Sequence, residues 1–400
     1  MIRALRLRWH AFVTRLLSSQ RFANTALGFW PTRLVARRQA RELFDLVSGF
    51  VYSQILYAAV KTGLLPMLKT PMTLNHISEQ LGFDEAHCRR LLRATTTLKL
   101  TRALPDHHYG LGSHGAALLA NPGLLQLIEH HQMFYQDLAD PIALFTGSAP
   151  NSASVNDAGG DKNTGGSNSL GSGRIDDASS HLGTYWAYAG NADPTIRDAS
   201  AADQVADYSA LMAASQPMVS AQVLHCYSFS NHVRLLDLGG GTGRFLSAVG
   251  RRYPTLKLSL FDLPAVHSLT DSAVLKEQNI ERHQGDFFTD PLPADADIVS
   301  LVRILHDHND DAVLHLLRKV YEILPDQGTI LIAEPLAETP GAARVGDAYF
   351  NLYFLAMGKG EPRSAKRLQT LLIEAGFSTV KLHRTHLPLV CSVMTARVSK

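Results

Sequence analysis

At 400 residues the chain exceeds what one hydrophobic core usually organises, so two domains with connecting segments are expected. Its composition, 46% hydrophobic and 18% charged, is that of a soluble globular protein, and a formal net charge of +2 conceals an uneven distribution. The three cysteines, Cys88, Cys226 and Cys391, stand too far apart for any CxxC-type spacing, which argues against a disulfide framework or a thiolate metal site and fits a reducing cytoplasm.

Residues 1–41 form a basic amphipathic arm, with nine arginines and no acidic residue, interleaved with Leu5, Leu7, Trp9, Phe12, Leu16, Leu17, Phe22, Phe29 and Trp30. Basic side chains can face lipid phosphates while aromatics and leucines enter the interface, so the arm suits an anionic membrane surface. A solvated arm, a domain-packing helix and a mitochondrial presequence are the other readings. No continuous apolar run approaches the roughly 20 residues that span a bilayer.

Residues 42–146 read as a helical domain. Phe44, Val47, Val51, Ile55 and Ala58 repeat at helical spacing, and the helix is expected to end near Thr62, before Gly63. Thr73 can cap a short helix closed by Gly82, and Asp84 a second one carrying Leu91, Leu92 and Leu98. Two short strands, 98–103 and 109–111, then flank the turn at Pro105–His108. Helix, helix, hairpin is the winged-helix pattern, which with Arg89, Arg90 and Arg93 on its second helix also admits a DNA-reading role.

Between 147 and 181 the composition turns to Gly, Ser, Asn, Asp and Ala, and the stretch is expected to be a disordered insertion. From 182 to 400 strands alternate with helices. The expected strands are 233–238, 257–262, 280–284, 297–302, 329–334, 378–382 and 390–397, with helices at 311–324 and 364–375 among them. Alternation of this kind implies an α/β, doubly wound, largely parallel sheet. Its last two segments have no helix between them and suggest a terminal antiparallel hairpin.

The first of these strands runs straight into Asp237-Leu-Gly-Gly-Gly-Thr-Gly243 and then a helix. Glycines there let the backbone turn tightly and approach a ligand closely. The dinucleotide fingerprint GxGxxG is broken, because counting from Gly239 its last position is Arg244 and counting from Gly241 it is Leu246. Asp262, followed by Leu263, ends the next strand, where a carboxylate can accept from both ribose hydroxyls. Asp286 follows the third and can accept from an adenine amino group while Phe287 covers the ring. A lone aspartate in such a place is as readily a turn cap. Three at successive strand ends point to one ligand, because ligands of such sheets lie outside those carboxyl ends.

The fourth strand leads into Arg303-Ile-Leu-His306-Asp307-His308. Taken in order and spacing, Gly239–Gly243, Phe261-Asp-Leu-Pro264, Gly285-Asp-Phe-Phe288 and Leu305-His-Asp307 resemble the plant-type and bacterial small-molecule O-methyltransferases, over roughly 40–145 and 185–400. The resemblance implies a Rossmann-like, seven-stranded methyltransferase sheet, a winged-helix domain used for dimerisation, and S-adenosyl-L-methionine as cofactor. It implies no metal and no nucleic acid. It makes His306 the general base, Glu334 and Glu361 the carboxylates flanking its ring, and Arg303 a cofactor contact, although lysine is frequent at that position in the plant enzymes. Asp237, Gly239, Gly241, Gly243, Asp262, Leu263, Asp286 and Phe287 would complete the cofactor site.

Within the family the chain most resembles bacterial carotenoid O-methyltransferases of the hydroxyneurosporene and demethylspheroidene type. That likeness rests on Leu43–Gln54, Tyr109–Gly112, Glu129-His-His131, Asp137–Pro141 and the arginine-rich start. It implies a hydroxylated acyclic carotenoid as acceptor, a homodimer, and a cytoplasmic enzyme held peripherally at the inner membrane face. His130, His131, Phe134, Tyr135, Trp186, Met212, Met218, Tyr349, Tyr353, Phe354 and Met357 are candidates for the acceptor pocket. The alternatives are a phenolic or polyketide acceptor, and a winged-helix regulator that senses S-adenosylmethionine without catalysis.

Overall fold

The computed structural model describes residues 2–146, 182–183, 199–267 and 278–400. The expected insertion at 147–181 and Trp186 lie outside the described residues. The chain divides into two compact units, Met1–Ala120 and Asn121–Lys400.

The first unit opens with three helices, α1 (Ile2–Leu17), α2 (Gln20–Gly28) and α3 (Trp30–Lys61). The arm expected to end at 41 has no boundary there, since α3 runs through it. Pro31 fits the first turn of α3, and no further proline or glycine interrupts the helix before Gly49. Contrary to the expectation that no segment could span a bilayer, α3 is long and apolar enough by length and composition alone. Ser48, Ser53 and Gln54 break the apolar run in sequence, yet 43–60 carries Asp45 as its single charge.

After α4 (Leu64–Met67) come β1 (Met72–Thr73), α5 (Leu74–Leu81) and α6 (Glu85–Thr97), then β2 (Thr101–Ala103), β3 (His108–Leu111) and α7 (Ser113–Leu119). The expected caps are in place. Thr73 accepts from the His76 N–H at 3.4 Å, Asp84 accepts from the His87 N–H at 2.9 Å, and Gly82 stops α5 with φ +67°. β1, β3 and β2 form a small antiparallel sheet, its turn made by Asp106 and His107 at positive φ. The first wing strand starts at Thr101 rather than 98, because the N–H groups of Leu98, Lys99 and Leu100 still bond back to Ala94, Thr96 and Thr95 and close α6.

The second unit begins with α8 (Pro122–Asp137) and α9 (Pro141–Thr146), which the sequence reading grouped with the first domain. Their partners explain the difference: His130 and His131 hydrogen-bond to Tyr353 and Tyr349, far along the chain. There follow α10 (Ala199–Cys226), β4 (Arg234–Leu238), α11 (Arg244–Arg252), β5 (Lys257–Asp262), α12 (Pro264–His267), β6 (Glu281–Gln284), β7 (Ile298–Val302), α13 (Asp310–Ile323) and β8 (Thr329–Glu334). A π-helical turn at Arg344–Phe350 leads into α14 (Asn351–Met357), then α15 (Ala365–Glu374), β9 (Ser378–His383) and β10 (Ser392–Arg397).

The seven strands lie in the order β6-β5-β4-β7-β8-β10-β9. All pairs are parallel except those of β10, which runs antiparallel to β8 and to β9 and forms the expected terminal hairpin. Leu235, Leu236, Leu238, Ile298, Val299, Leu301, Ile330 and Leu331 are fully buried, as strands covered on both faces must be. The chain moves outward from β4 through β5 to β6, then returns to place β7 on the other side of β4. That reversal is the topological switch point, where the loops after β4 and β7 separate and leave a crevice.

Candidate active site

A cleft of about 800 Å³ opens at this switch point, within the range usual for small-molecule sites. Its walls include the glycine turn after β4, Asp262 and Leu263 after β5, Asp286 and Phe287 after β6, Arg303 after β7, and Met212 and Gln216 of α10.

The glycines are required by geometry. Gly239, Gly241 and Gly243 have φ of +67°, +58° and +77°. A Cβ on Gly239 would lie 2.5 Å from Ile304, and one on Gly240 would lie 2.4 Å from both Asp237 Oδ2 and Leu260. At Gly241 an added Cβ would meet nothing within 4 Å, so the tip of the turn presents bare backbone to open space. Asp262 organises that tip: its Oδ2 accepts from the Gly241 N–H and its Oδ1 from the Leu263 N–H, both at 2.7 Å. Each oxygen keeps a second lone pair for a ligand hydroxyl. Asp237 lies beneath, fully buried, and accepts from the Ser300 hydroxyl at 2.5 Å. Burial pushes its carboxyl up to about 7. Its Oδ2, beneath Gly240, has no hydrogen-bond partner among the described residues. Asp286 accepts from the Phe288 N–H at 2.8 Å, which turns Phe287 into the cleft wall.

Arg303 sits in the left-handed region at φ +59°, and its guanidinium donates to Ser215 Oγ at 2.6 Å, to the Met212 carbonyl at 2.9 Å and to Gln216. The arginine therefore ties the end of β7 to the part of α10 that walls the cleft, beside the internal Pro217. A role of this kind was not expected from the sequence.

His306 lies on the single 3₁₀ turn Leu305–Asp307, 6% exposed. Its backbone N–H donates to Glu334 Oε2 at 3.2 Å, and its ring Nδ1 lies 4.0 Å from the same oxygen, so Glu334 acts on the ring through charge. Phe354 packs on the ring at 4.9 Å between centroids and Phe350, from the π-helical turn, at 6.2 Å. Phe354 also lines the cleft, whereas the His306 ring sits behind it. Burial, together with the charges of Arg303, His308 and Arg363, pushes the imidazole down to about 3, so its resting form is neutral. Burial raises Glu334 to about 7 and Asp307 well above the usual carboxylate range, the latter helped by repulsion from Glu334.

Glu361 does not flank the ring. Gly360, at φ +81°, packs so closely on the His306 carbonyl that an added Cβ would lie 2.2 Å away, and it is the Glu361 N–H that bonds that carbonyl, at 3.0 Å. The Glu361 side chain is 55% exposed and lies 3.7 Å from Arg363. The second carboxylate is Asp307, with Oδ1 at 3.4 Å from His306 Nε2. Sequence reasoning passed over it as the neighbour of the base. It also missed Arg363, whose fully buried side chain donates to the Leu305 carbonyl at 2.8 Å, the His308 carbonyl at 2.6 Å and Asp310 Oδ1 at 2.6 Å. That one guanidinium grips the His306 turn from both sides.

Of the acceptor-pocket candidates, Phe134, Met212, Tyr349, Tyr353, Phe354 and Met357 share one apolar cluster. His130 Nε2 and Tyr353 OH lie 2.8 Å apart, and His131 Nε2 and Tyr349 OH 2.7 Å apart. Burial pushes both histidines down to about 4, so the cluster is uncharged, and of the candidates Met212 and Phe354 also line the cleft. Tyr135 adjoins it through His131, while Met218 is on α10 outside the cluster.

Fold and site together define a class: a doubly wound sheet holding a nucleoside-type ligand at its switch point, beside a buried neutral histidine. The comparisons with known proteins are more specific. Residues 183–378 match the O-methyltransferase domain and residues 44–121 the O-methyltransferase dimerisation domain. The chain is 36% identical over 392 residues to the demethylspheroidene O-methyltransferase of Cereibacter sphaeroides, covering 96% of this chain and 93% of that one. The Rhodobacter capsulatus enzyme of the same name is 35% identical over 387 residues, 96% and 89% of the two chains. The crystal structure of human N-acetylserotonin methyltransferase in complex with SAM superposes with a TM-score of 0.69 at 22% identity, over 90% of this chain and 98% of that one, and shares the fold. The chain belongs to the O-methyltransferase family, and its winged-helix segment is that family's dimerisation domain.

Proposed function

We propose that this enzyme methylates the hydroxyl of a hydroxylated acyclic carotenoid of the demethylspheroidene or hydroxyneurosporene type. S-adenosylmethionine is its methyl donor. The observation that carries the acceptor is the nearly end-to-end match to two demethylspheroidene O-methyltransferases. The apolar side chains of Met212, Phe354 and Leu355, which line the cleft, support it, since a polyene offers only apolar surface to recognise.

When bound, S-adenosylmethionine supplies a methyl group already activated on a sulfonium. The residues that would hold it are the backbone of Gly239–Gly243, Asp262 and Leu263, Asp286 and Phe287, with Arg303 holding α10 against the same cleft. The bare backbone at Gly241 and the spare lone pairs of Asp262 fit such a ligand. His306 is the general base. With Glu334 ionised beside Nδ1, and Asp307 beside Nε2 biased by burial toward its neutral form, the proton of the neutral ring is favoured at Nδ1 and the lone pair at Nε2. Nε2 then takes the hydroxyl proton as the oxygen is methylated, because an aliphatic alcohol is too weak an acid to ionise first. Phe350 and Phe354 keep the ring out of water, and the rings must part for a hydroxyl to reach it.

The dimerisation domain makes the enzyme a homodimer, and a bilayer-dwelling acceptor makes it a peripheral protein of the inner membrane face. The test is to incubate the purified chain with labelled S-adenosylmethionine and a panel of hydroxylated acyclic carotenoids and phenols. Label is expected in a carotenoid ether. Label in phenols alone would replace this acceptor with a phenolic one.

A further inference from the structure

Helix α1 carries an apolar stripe, with Leu7 and Leu17 outside it. At 100° per residue, Leu5, Trp9, Phe12 and Leu16 fall on one side, with Arg8 and Arg15 along one border and Arg6 along the other. The apolar face is bare: Leu5 is 70% exposed, Trp9 66% and Phe12 58%, and the Trp9 and Phe12 rings are neighbours, 5.9 Å apart between centroids. Arg3, Arg6, Arg8 and Arg15 are exposed as well. The helix precedes the dimerisation match, which begins at residue 44, and the stretch from 1 to 41 contains no acidic residue to neutralise its arginines.

A solvated arm has no use for an exposed tryptophan, phenylalanine and leucines on one stripe. We propose that α1 lies in the plane of an anionic phospholipid bilayer, its Leu5-Trp9-Phe12-Leu16 face in the acyl boundary and its bordering arginines on the lipid phosphates. The charge argues for this occupant over another protein surface or a second copy, because a second copy brings the same positive arm and would repel it. The inference deepens the carotenoid reading and rests on it for its purpose: the arm would bring the catalytic domain to where its acceptor is dissolved.

The experiment is flotation of the full chain with vesicles of phosphatidylcholine alone and of phosphatidylcholine mixed with phosphatidylglycerol, at low and high salt, without any carotenoid. The expected result is recovery with the mixed vesicles only, weakened by salt. Trp9→Asp with Phe12→Asp should reduce that recovery at least ten-fold, as should Arg6→Glu with Arg8→Glu and Arg15→Glu. A further variant, Ile373→Asp on the exposed side of α15, should float as the wild type does, which separates the arm from apolar surface elsewhere. Methylation of a detergent-dispersed acceptor should be the same in wild type and arm variants. Equal recovery on neutral vesicles, no recovery on either, or unchanged flotation of both arm variants would overturn the proposal. Flotation as described by a protein that methylates only phenols would leave the arm's role standing and remove the carotenoid reading, so the two failures are distinguishable.

Discussion

At the scale of single residues, the site depends on buried charge. Glu334 is fully buried beside His306, and its carboxyl is raised to about 7, so it is protonated below that pH and ionised above it. Only the ionised form stabilises the imidazolium that forms during transfer. kcat should therefore rise as pH increases through about 7, and Glu334→Gln should flatten that limb while lowering kcat; a wild-type profile that persists in the variant would show that another group titrates. Arg363 acts one step further out, through hydrogen bonds to the carbonyls of Leu305 and His308 on either side of His306 and a third to Asp310. Lysine keeps the charge, but its single nitrogen cannot replace bonds that Arg363 makes from Nε, Nη1 and Nη2. Arg363→Lys should lower kcat by roughly ten- to a hundred-fold, in the manner of a misplaced base, with the affinity for S-adenosylhomocysteine within about two-fold of wild type. An equal loss in both would mean that the cleft as a whole had loosened.

The residues that could be read from sequence were those whose role follows from position alone. Gly239 to Gly243, Asp262, Asp286 and His306 each follow a strand, and a strand end is visible in an apolar run. Arg363 and Phe350 reach His306 only through long-range packing, which no local pattern encodes. Glu361 was misassigned for the same reason, since nothing in its sequence neighbourhood reveals that its N–H, and not its carboxylate, faces the base.

At the scale of elements, β5 and β8 match the expected strands to the residue, because each is an apolar run bounded by polar or turn residues. The error at 98–100 came from a helix end that carries the same leucines as a strand. α3 raises a different question. Leu46, Val47 and Phe50 are 80%, 71% and 71% exposed at the start of the matched dimerisation domain, and a bare apolar face of that size needs a partner. A second copy of the chain fits, and it accounts for the apolar length of α3 without a membrane span. Phe50→Asp should convert the dimer to monomer in light scattering at micromolar concentration, and a dimer that survives would place the interface elsewhere.

At the scale of the whole molecule, two units divide the work: one carries the arm and the dimerisation domain, the other the cleft and His306. Alternation of strands and helices made the second unit legible, and the sheet order with its switch point between β4 and β7 shows why the glycine turn and the His306 turn meet at one crevice. The acceptor was legible only through resemblance, because an apolar wall says little about which apolar molecule it suits. The central claim is that this cleft binds the methyl donor and that His306 removes the acceptor's proton. Its most direct test is His306→Ala, measured for single-turnover methyl transfer to a hydroxylated acyclic carotenoid and, in parallel, for calorimetric binding of S-adenosylhomocysteine. Transfer should fall by about 10²- to 10⁴-fold, the range that general base catalysis contributes, with binding nearly intact. Transfer at the wild-type rate would contradict the assignment of the base.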